Sequence, residues 1–568
     1  MNITFPYVSE KNIIKIAEYF EAPPSLFVQG WWELGGNELG PNIRPTPEIL
    51  EFYRVLQQNG IRITPYINGR LWPKYDRQGE DFEYTKYGVP AAVRKNGEIV
   101  IENYSKTPCV VLCPATETYQ KRIPAFALKI AAHGADGVYV DQIGAASAPV
   151  CTSKEHGHTP GDLKFWYTNG HYPVYNSIRK NPLFKDKILS TEDHSETCVG
   201  IFDTMLPWRW LYNDMVPLFP MVFSGRTQFY GRDSAAANAP FAKTAMMLNN
   251  GEQLGWYNHI IFSPLSGDLR RFVKRMIHSR IAMLPFFNEG MMARPPRYVT
   301  AVPLEKKYWG THGDKFITMP CIQTSMWQKG DDFALIIVNT SGKKISGTLE
   351  ISLPQKQYQA KIYSSFADSA EYEVKNNVFQ YEIPAYANQI VYMFPVGKCN
   401  NIIKKGFDKS FEIIRKTLHE KDPFKFNSQL HPYKGRVMNP FEWQDCGKSY
   451  YISGAQKQPG GGLFWIANCI AGAGKYNFGE DCKGFEIELV RMAGFVASGK
   501  IRFCVNGIEE KDTVAEIFID SSVVQSASLK DWKKVEVKLK RQLKGEQLLY
   551  VVFDGFSFCN VKNWRAVK

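Results

Sequence analysis

The 568-residue chain has no run of about 18 apolar residues, so no segment reads as a helix that spans a bilayer. Its N-terminus, MNITFPYVSEKN, lacks the basic-then-apolar order of an export signal. The chain as it stands is therefore expected in the cytoplasm, or exported or periplasmic if its start has been trimmed. No glycine-rich phosphate loop follows any strand-like run, which argues against a nucleotide-binding doubly wound sheet. There is no Gly-x-Ser-x-Gly elbow and no Cys/His dyad pattern to supply a serine or cysteine nucleophile, and no cofactor is implied. Eleven cysteines stand singly along the chain. The closest pair, Cys109 and Cys113, has no partner pair at zinc-site spacing, so the cysteines read as buried thiols and no metal is expected. Low-complexity segments are absent too.

What is present is the composition of a folded protein: 44% hydrophobic and 22% charged residues. The length calls for two to four folding units of roughly 100–200 residues each. The formal charge of +13 raises nucleic acid as a partner. Most lysines are scattered among acids, however, and the local excess Lys530–Arg541 alternates with Val and Leu like the exposed face of a strand. Nucleic acid is not expected.

Up to about residue 285, short β-rich runs alternate with helical patterns, the signature of βα units on a parallel sheet. The strand-like runs are Asn2–Val8, Ser25–Trp32, Ile61–Gly69, Gly137–Gly144, Lys187–His194 and Pro217–Ser224. Helices are expected over Glu48–Asn59, Tyr119–His133, Leu163–Lys180, Ala235–Asn249 and Asp268–Leu284. From about Tyr298 the texture changes to short alternating strands broken by turns. The expected class is α/β plus all-β: a (β/α)8 TIM barrel (1–297) followed by a β-sandwich (298–397) and a second, jelly-roll β-sandwich (398–568), with a short polar connection at Lys398–Lys405.

Four runs begin apolar and end polar, as barrel strands do where their C-terminal ends build a site. Their ends, Trp31-Trp32-Glu33, Tyr66-Asn68-Arg70, Asp141-Gln142 and Glu192-Asp193-His194, should share one mouth. Asp141 closes GVYVD and Glu192 closes ILSTE one βα unit later, which places the two carboxylates on neighbouring strands. Such a pair, roughly 5–5.5 Å apart, is what a retaining glycosidase needs: Asp141 as nucleophile, Glu192 as acid/base. Aromatic faces on which a sugar ring can stack follow the strands at Trp31, Trp32, Tyr66 and Trp208. Asn68, Arg70, Gln142, His194 and Asp203 are candidate substrate contacts, and Asp203 is also an alternative acid. His156 and His158, in the loop CTSKEHGHTPG, read as substrate contacts or loop packing rather than metal ligands, because Cys151 stands alone beside them.

The segments GADGVYVDQIG and LSTEDHSE resemble those of glycoside-hydrolase-like barrels related to the endo-α-N-acetylgalactosaminidase group and, more distantly, the α-amylase type, over roughly residues 10–285. That resemblance implies an Asp nucleophile on the fourth strand and a Glu acid/base on the fifth, the positions of Asp141 and Glu192. For the third carboxylate of the amylase type, Asp233 is the nearest counterpart. Pro440–Trp443, Tyr450–Gly454, Phe518–Asp520, Trp532 and Asn563-Trp564 resemble a family-6-like carbohydrate-binding module, with Trp443, Tyr451 and Trp564 as its candidate contacts. The expected partner is a glycan. The alternatives are an α-galactosidase- or fucosidase-like barrel with a different acid/base, and a non-catalytic glycan-binding protein.

Overall fold

The computed structural model describes residues 2–5, 9–29, 31, 44–76, 79–104, 107–207, 216–223, 225–232, 239–257, 259–309, 316–354, 357–374, 377–457, 462–492, 499–519, 525–526, 531–554 and 559–568. Seven parallel strands form the first sheet: β1 (Asn2–Phe5), β2 (Ser25–Val28), β3 (Arg62–Asn68), β4 (Gly137–Asp141), β5 (Ile188–Glu192), β6 (Thr204–Leu206) and β7 (Gln228–Phe229). Their order in space is their order in sequence. A doubly wound sheet reverses order at a switch point, so this is the topology of a barrel wall. An eighth position begins at the parallel bridge Tyr230–Gln253. The sheet curls: Phe27, on β2, meets Tyr66 and Tyr139 on the next two strands and also Trp256, just past the eighth position, with ring centroids 5.3 Å apart.

Local chemistry explains the register. A Cβ on Gly137 would lie 2.5 Å from the carbonyl oxygen of Ile188, so the absence of a side chain lets β4 and β5 pair from their first residues. On the outside, α1 (Glu10–Phe20), α2 (Pro47–Gln58), α3 (Glu117–Ala132), α4 (Tyr172–Lys180), α5 (Leu218–Phe223), α6 (Pro240–Asn249) and α7 (Gly267–Glu289) follow the strands. The apolar stripe Ile123, Phe126, Ala127, Ile130 and Ala131 of α3 is buried, as its 3.6-residue spacing requires.

Two elements differ from expectation. The run expected as a strand at Pro217–Ser224 holds α5 over its described part, where Phe219 and Phe223, four apart, pack with tilted rings 4.6 Å between centroids while Leu218 and Val222 face solvent. An apolar run of this length has no period that separates strand from helix. The connection expected at Lys398–Lys405 instead opens α8 (Asn401–Lys416), capped by the Asn400 side chain. Its buried Ile403, Phe407, Phe411 and Ile414 repeat at helical spacing.

Beyond the barrel wall lie a six-stranded antiparallel sheet and a three-stranded sheet with a core of their own, including Phe333, Leu335, Tyr381 and Val391. After α8, a ten-stranded sheet encloses a separate core that includes Phe485, Phe503 and Trp564. Helix α7 joins the parts. Arg270 is fully buried against Asp422, Lys274 reaches Glu21 and Glu420, and His278 Nε2 meets the Phe20 carbonyl.

Candidate active site

Ladder register puts Asn68 beside Asp141 and pairs Thr191 with Val140, so Glu192 follows as the neighbour of Asp141. Adjacent strands lie about 4.8 Å apart, and here the two carboxyl groups meet in hydrogen-bond contact. Tyr66 OH donates to Asp141 Oδ2 at 2.7 Å and Asn68 Nδ2 at 3.4 Å, while Tyr139 OH donates to Oδ1 at 3.3 Å. Burial pushes the Asp141 carboxyl up, and the hydrogen bonds from Tyr66, Glu192 and Tyr139 pull it back. Tyr139 was missed in sequence, although it lies two residues before Asp141 and so shares its face.

The backbone turns sharply just past both carboxyls. Gln142 (φ 68°) and Asp193 (φ 51°) are left-handed, and Gly144 packs so closely that a Cβ there would lie 2.6 Å from the Glu192 carbonyl oxygen. The loop after β4 is thereby seated on the end of β5. Below the pair, Tyr66 and Tyr139 stack at 5.8 Å and Ser190 Oγ meets Tyr230 OH at 2.6 Å, so the barrel interior is filled by side chains.

Other expected contacts fall differently. Trp31 is 2% exposed and its Nε1 donates to the Tyr66 carbonyl at 2.9 Å, which makes it packing rather than a sugar platform. Arg70 pairs with Glu102 at 2.6 Å and donates to Gln142 Oε1 at 3.3 Å, while Gln142 Nε2 reaches Tyr104 OH. Both side chains thus fasten one loop to another. Asn68 Oδ1 accepts from the backbone N–H of Arg70 and Leu71. His194 stacks on Phe219 at 4.6 Å, and burial, with Arg232 nearby, brings its pKa down to about 4. Asp203 stands at the N-terminal end of β6, where it accepts from Leu189 N–H and pairs with Arg179. That is the end of the barrel away from Asp141, so Asp203 is neither a substrate contact nor an alternative acid. Glu252 is locked against Arg232. Trp32, Trp208 and Asp233 lie outside the described residues.

His156 and His158 turn toward sulfur. Together with Cys113 and Cys151 they form a group whose ligand atoms all lie within 4.8 Å of one another. The sequence reading of Cys151 as solitary is corrected: Cys113 comes from the far end of the excursion after β3. Two cavities, of about 360 and 300 Å³, open among the described residues. They are lined by strand beginnings such as Arg62, Ile188, Asp203 and Thr204, at the opposite end from the carboxyl pair. In the last sheet Trp564 is 1% exposed and belongs to the core, while Arg565 and Lys534 lie over the Trp443 ring and His431 packs 4.4 Å from Tyr451. The chain's own side chains therefore meet the three rings expected to hold sugar.

Residues 4–234 match a family model described as a domain of unknown function (DUF6259). The chain is 31% identical over 245 residues to a Bacteroides thetaiotaomicron protein named "Putative glycoside hydrolase", covering 40% of this chain and 35% of that protein. It is 21% identical over 322 residues to "Putative glycoside hydrolase 22789" of Monosiga brevicollis, covering 50% and 27%. The chain thus spans about a third or less of the length of these curated relatives. Among solved structures, the noncanonic maltogenic α-amylase AmyB of Thermotoga neapolitana aligns over 70% of this chain and 98% of its own, with a TM-score of 0.45 and 10% identity.

Proposed function

We propose that the chain is a retaining glycoside hydrolase acting through Asp141 and Glu192 on a glycan. The observation that carries the reading is the side-by-side placement of these two carboxyls at the C-terminal ends of β4 and β5, where a barrel builds its site. An inverting pair stands roughly 6.5–9.5 Å apart to admit a water between carboxylate and sugar, and a retaining pair roughly 5–5.5 Å; the placement of Asp141 and Glu192 on adjacent strands favours the shorter separation and direct attack. Three neutral donors, Tyr66, Asn68 and Tyr139, favour the ionised form of Asp141 and aim it. In this reading Glu192 enters the reaction as the acid. In the first step an Asp141 oxygen bonds to the anomeric carbon, the glycosidic C–O bond breaks, and Glu192 gives its proton to the leaving oxygen. In the second, Glu192 takes a proton from water, the water oxygen bonds to the anomeric carbon, and Asp141 leaves. The names of the two relatives agree with this class of chemistry.

The test is hydrolysis of a panel of aryl α- and β-glycosides and polysaccharides by wild type, Asp141→Asn and Glu192→Gln. Turnover abolished by Asp141→Asn, and reduced about 10²–10⁴-fold by Glu192→Gln with azide rescue and a glycosyl azide product, supports both roles. Sugar binding without turnover in the wild type points instead to a binding protein.

A further inference from the structure

The loop after β4 runs from Gln142 to Phe165 with almost no regular structure and begins beside the carboxyl pair. Its backbone is tied by scattered bonds, such as Thr152 N–H to Arg94 O and Gly161 N–H to Cys151 O. The apolar cluster beneath it is small, built from residues such as Leu71, Val93, Val111, Phe165 and Trp166. Cys113 and Cys151 are buried in this cluster, with His156 and His158 half-buried at its edge.

The four residues gather the donor atoms of a tetrahedral ligand set into one place. With Zn–S of about 2.3 Å and Zn–N of about 2.0–2.1 Å, ligand atoms around zinc stand about 3.3–3.8 Å from one another. Cys151 Sγ and His156 Nδ1 are 3.4 Å apart, and all four ligand atoms fall within 4.8 Å. His158 gives an independent indication. Its Nδ1 lies 2.9 Å from the carbonyl oxygen of Thr159, which only accepts, so Nδ1 carries the hydrogen and Nε2 bears a lone pair. That Nε2 is fully buried and has no protein partner. The ring is held flat on Phe165, with centroids 3.8 Å apart and planes within 6°. A histidine whose second ring nitrogen donates to a backbone carbonyl, fixing tautomer and orientation, is the usual arrangement of a metal ligand. Arg94 N–H, 3.5 Å from Cys151 Sγ, provides the same kind of support for sulfur.

From these observations we infer that Cys113, Cys151, His156 and His158 form a closed, structural zinc site that staples the loop after β4 to the end of the excursion after β3. The S₂N₂ donor set suits Zn²⁺ in preference to Mg²⁺ or Ca²⁺, which take oxygen. Four protein ligands leave no open position, so the ion has no part in bond cleavage. The spacing, one distant cysteine followed by Cys-x₄-His-x-His, departs from zinc-finger patterns, because the fold rather than a short hairpin assembles it. The inference is independent of the proposed hydrolase activity.

The full chain, purified without chelator from zinc-supplemented cells, is measured by plasma mass spectrometry alongside thiol titration. The expected result is one zinc per chain, released by a mercurial reagent into a chromogenic chelator. Exchange with Co²⁺ should give the visible d–d bands of a tetrahedral ion and a near-ultraviolet thiolate charge-transfer band. His158→Gln and Cys151→Ser should each lose most of the metal, while Cys198→Ser, a buried cysteine outside the cluster, keeps it. Wild-type protein without stoichiometric zinc and without cobalt bands overturns the site, whatever the folding of the variants. So does a Cys113–Cys151 disulfide in unreduced peptides, or a different metal at one per chain.

Discussion

Tyr66→Phe tests the reading of Asp141 most directly, since it removes one oxygen and little else. The ring that stacks on Tyr139 and meets the edge of Phe27 is kept, and the Trp31 bond runs to the Tyr66 backbone, so the fold should hold. The lost bond is short, 2.7 Å, in the range of an O–H donating to a carboxylate. Hydrogen bonds to charged groups contribute about 1.5–3 kcal/mol, and 1.36 kcal/mol corresponds to one pKa unit, so the carboxyl pair should titrate about 1–2 units higher. Asn68 Nδ2, already 3.4 Å from the same oxygen, can close in and hold the change near the lower figure. The sign follows from the mechanism. Attack needs ionised Asp141, so kcat/KM falls as pH drops through that value, and the variant should lose activity at a pH about one unit higher. The assay is kcat/KM against pH on the best aryl glycoside, with thermal melting as the control. An acidic limb that stays in place while the whole profile drops uniformly would refute the role given to this hydrogen bond.

Three further outcomes follow from the same contacts. Burial raises the Asp141 pKa in the fold, so its stabilising contribution is present at acid pH and is lost as pH rises through the folded value. Asp141→Asn should therefore raise the melting temperature at neutral pH, with the gain vanishing toward pH 4; a lowered melting temperature at neutral pH contradicts the burial argument. Gly144→Ala should cost about 1–3 kcal/mol in urea unfolding and most of the activity, because its Cβ meets backbone oxygens of Glu192 and Asp193 at 2.6 and 3.0 Å. Asp203→Asn should leave kcat within about twofold of wild type while lowering stability by about 1 kcal/mol through the weakened Leu189 and Arg179 contacts; a loss of catalysis would return Asp203 to the site.

The strand ends that carry Asp141 and Glu192 were legible because parallel barrel strands are apolar on both faces and turn polar where they stop. Their spacing, one βα unit apart, set the two side by side. Short strands were not legible in the same way. Thr204–Leu206 and Gln228–Phe229 hold three and two residues, too few to show a period, and α5 took the apolar run that looked like a strand. Side-chain direction was the next thing hidden. Trp31, Arg70 and Trp564 have the chemistry of sugar contacts, yet burial of an indole and pairing of a guanidinium depend on neighbours distant in sequence, Tyr66, Glu102 and the last sheet's core among them.

The Cys/His cluster shows the same limit in its sharpest form. Metal motifs are readable when one hairpin supplies adjacent ligands, because spacing then encodes geometry. Here Cys113 follows the hairpin formed by Ile101–Tyr104 and Thr107–Val111, while Cys151, His156 and His158 lie on the loop after the next barrel strand. What brings them together is the pairing of β3 with β4, which makes successive βα excursions neighbours at the barrel mouth. The contacts that set the carboxyl pair and those that gather the four donors therefore share one cause. Loosening the cluster should propagate through the loop after β4 to the seat of Gly144 on Glu192 and Asp193, so that loss of the metal costs catalysis without removing any group that touches the sugar.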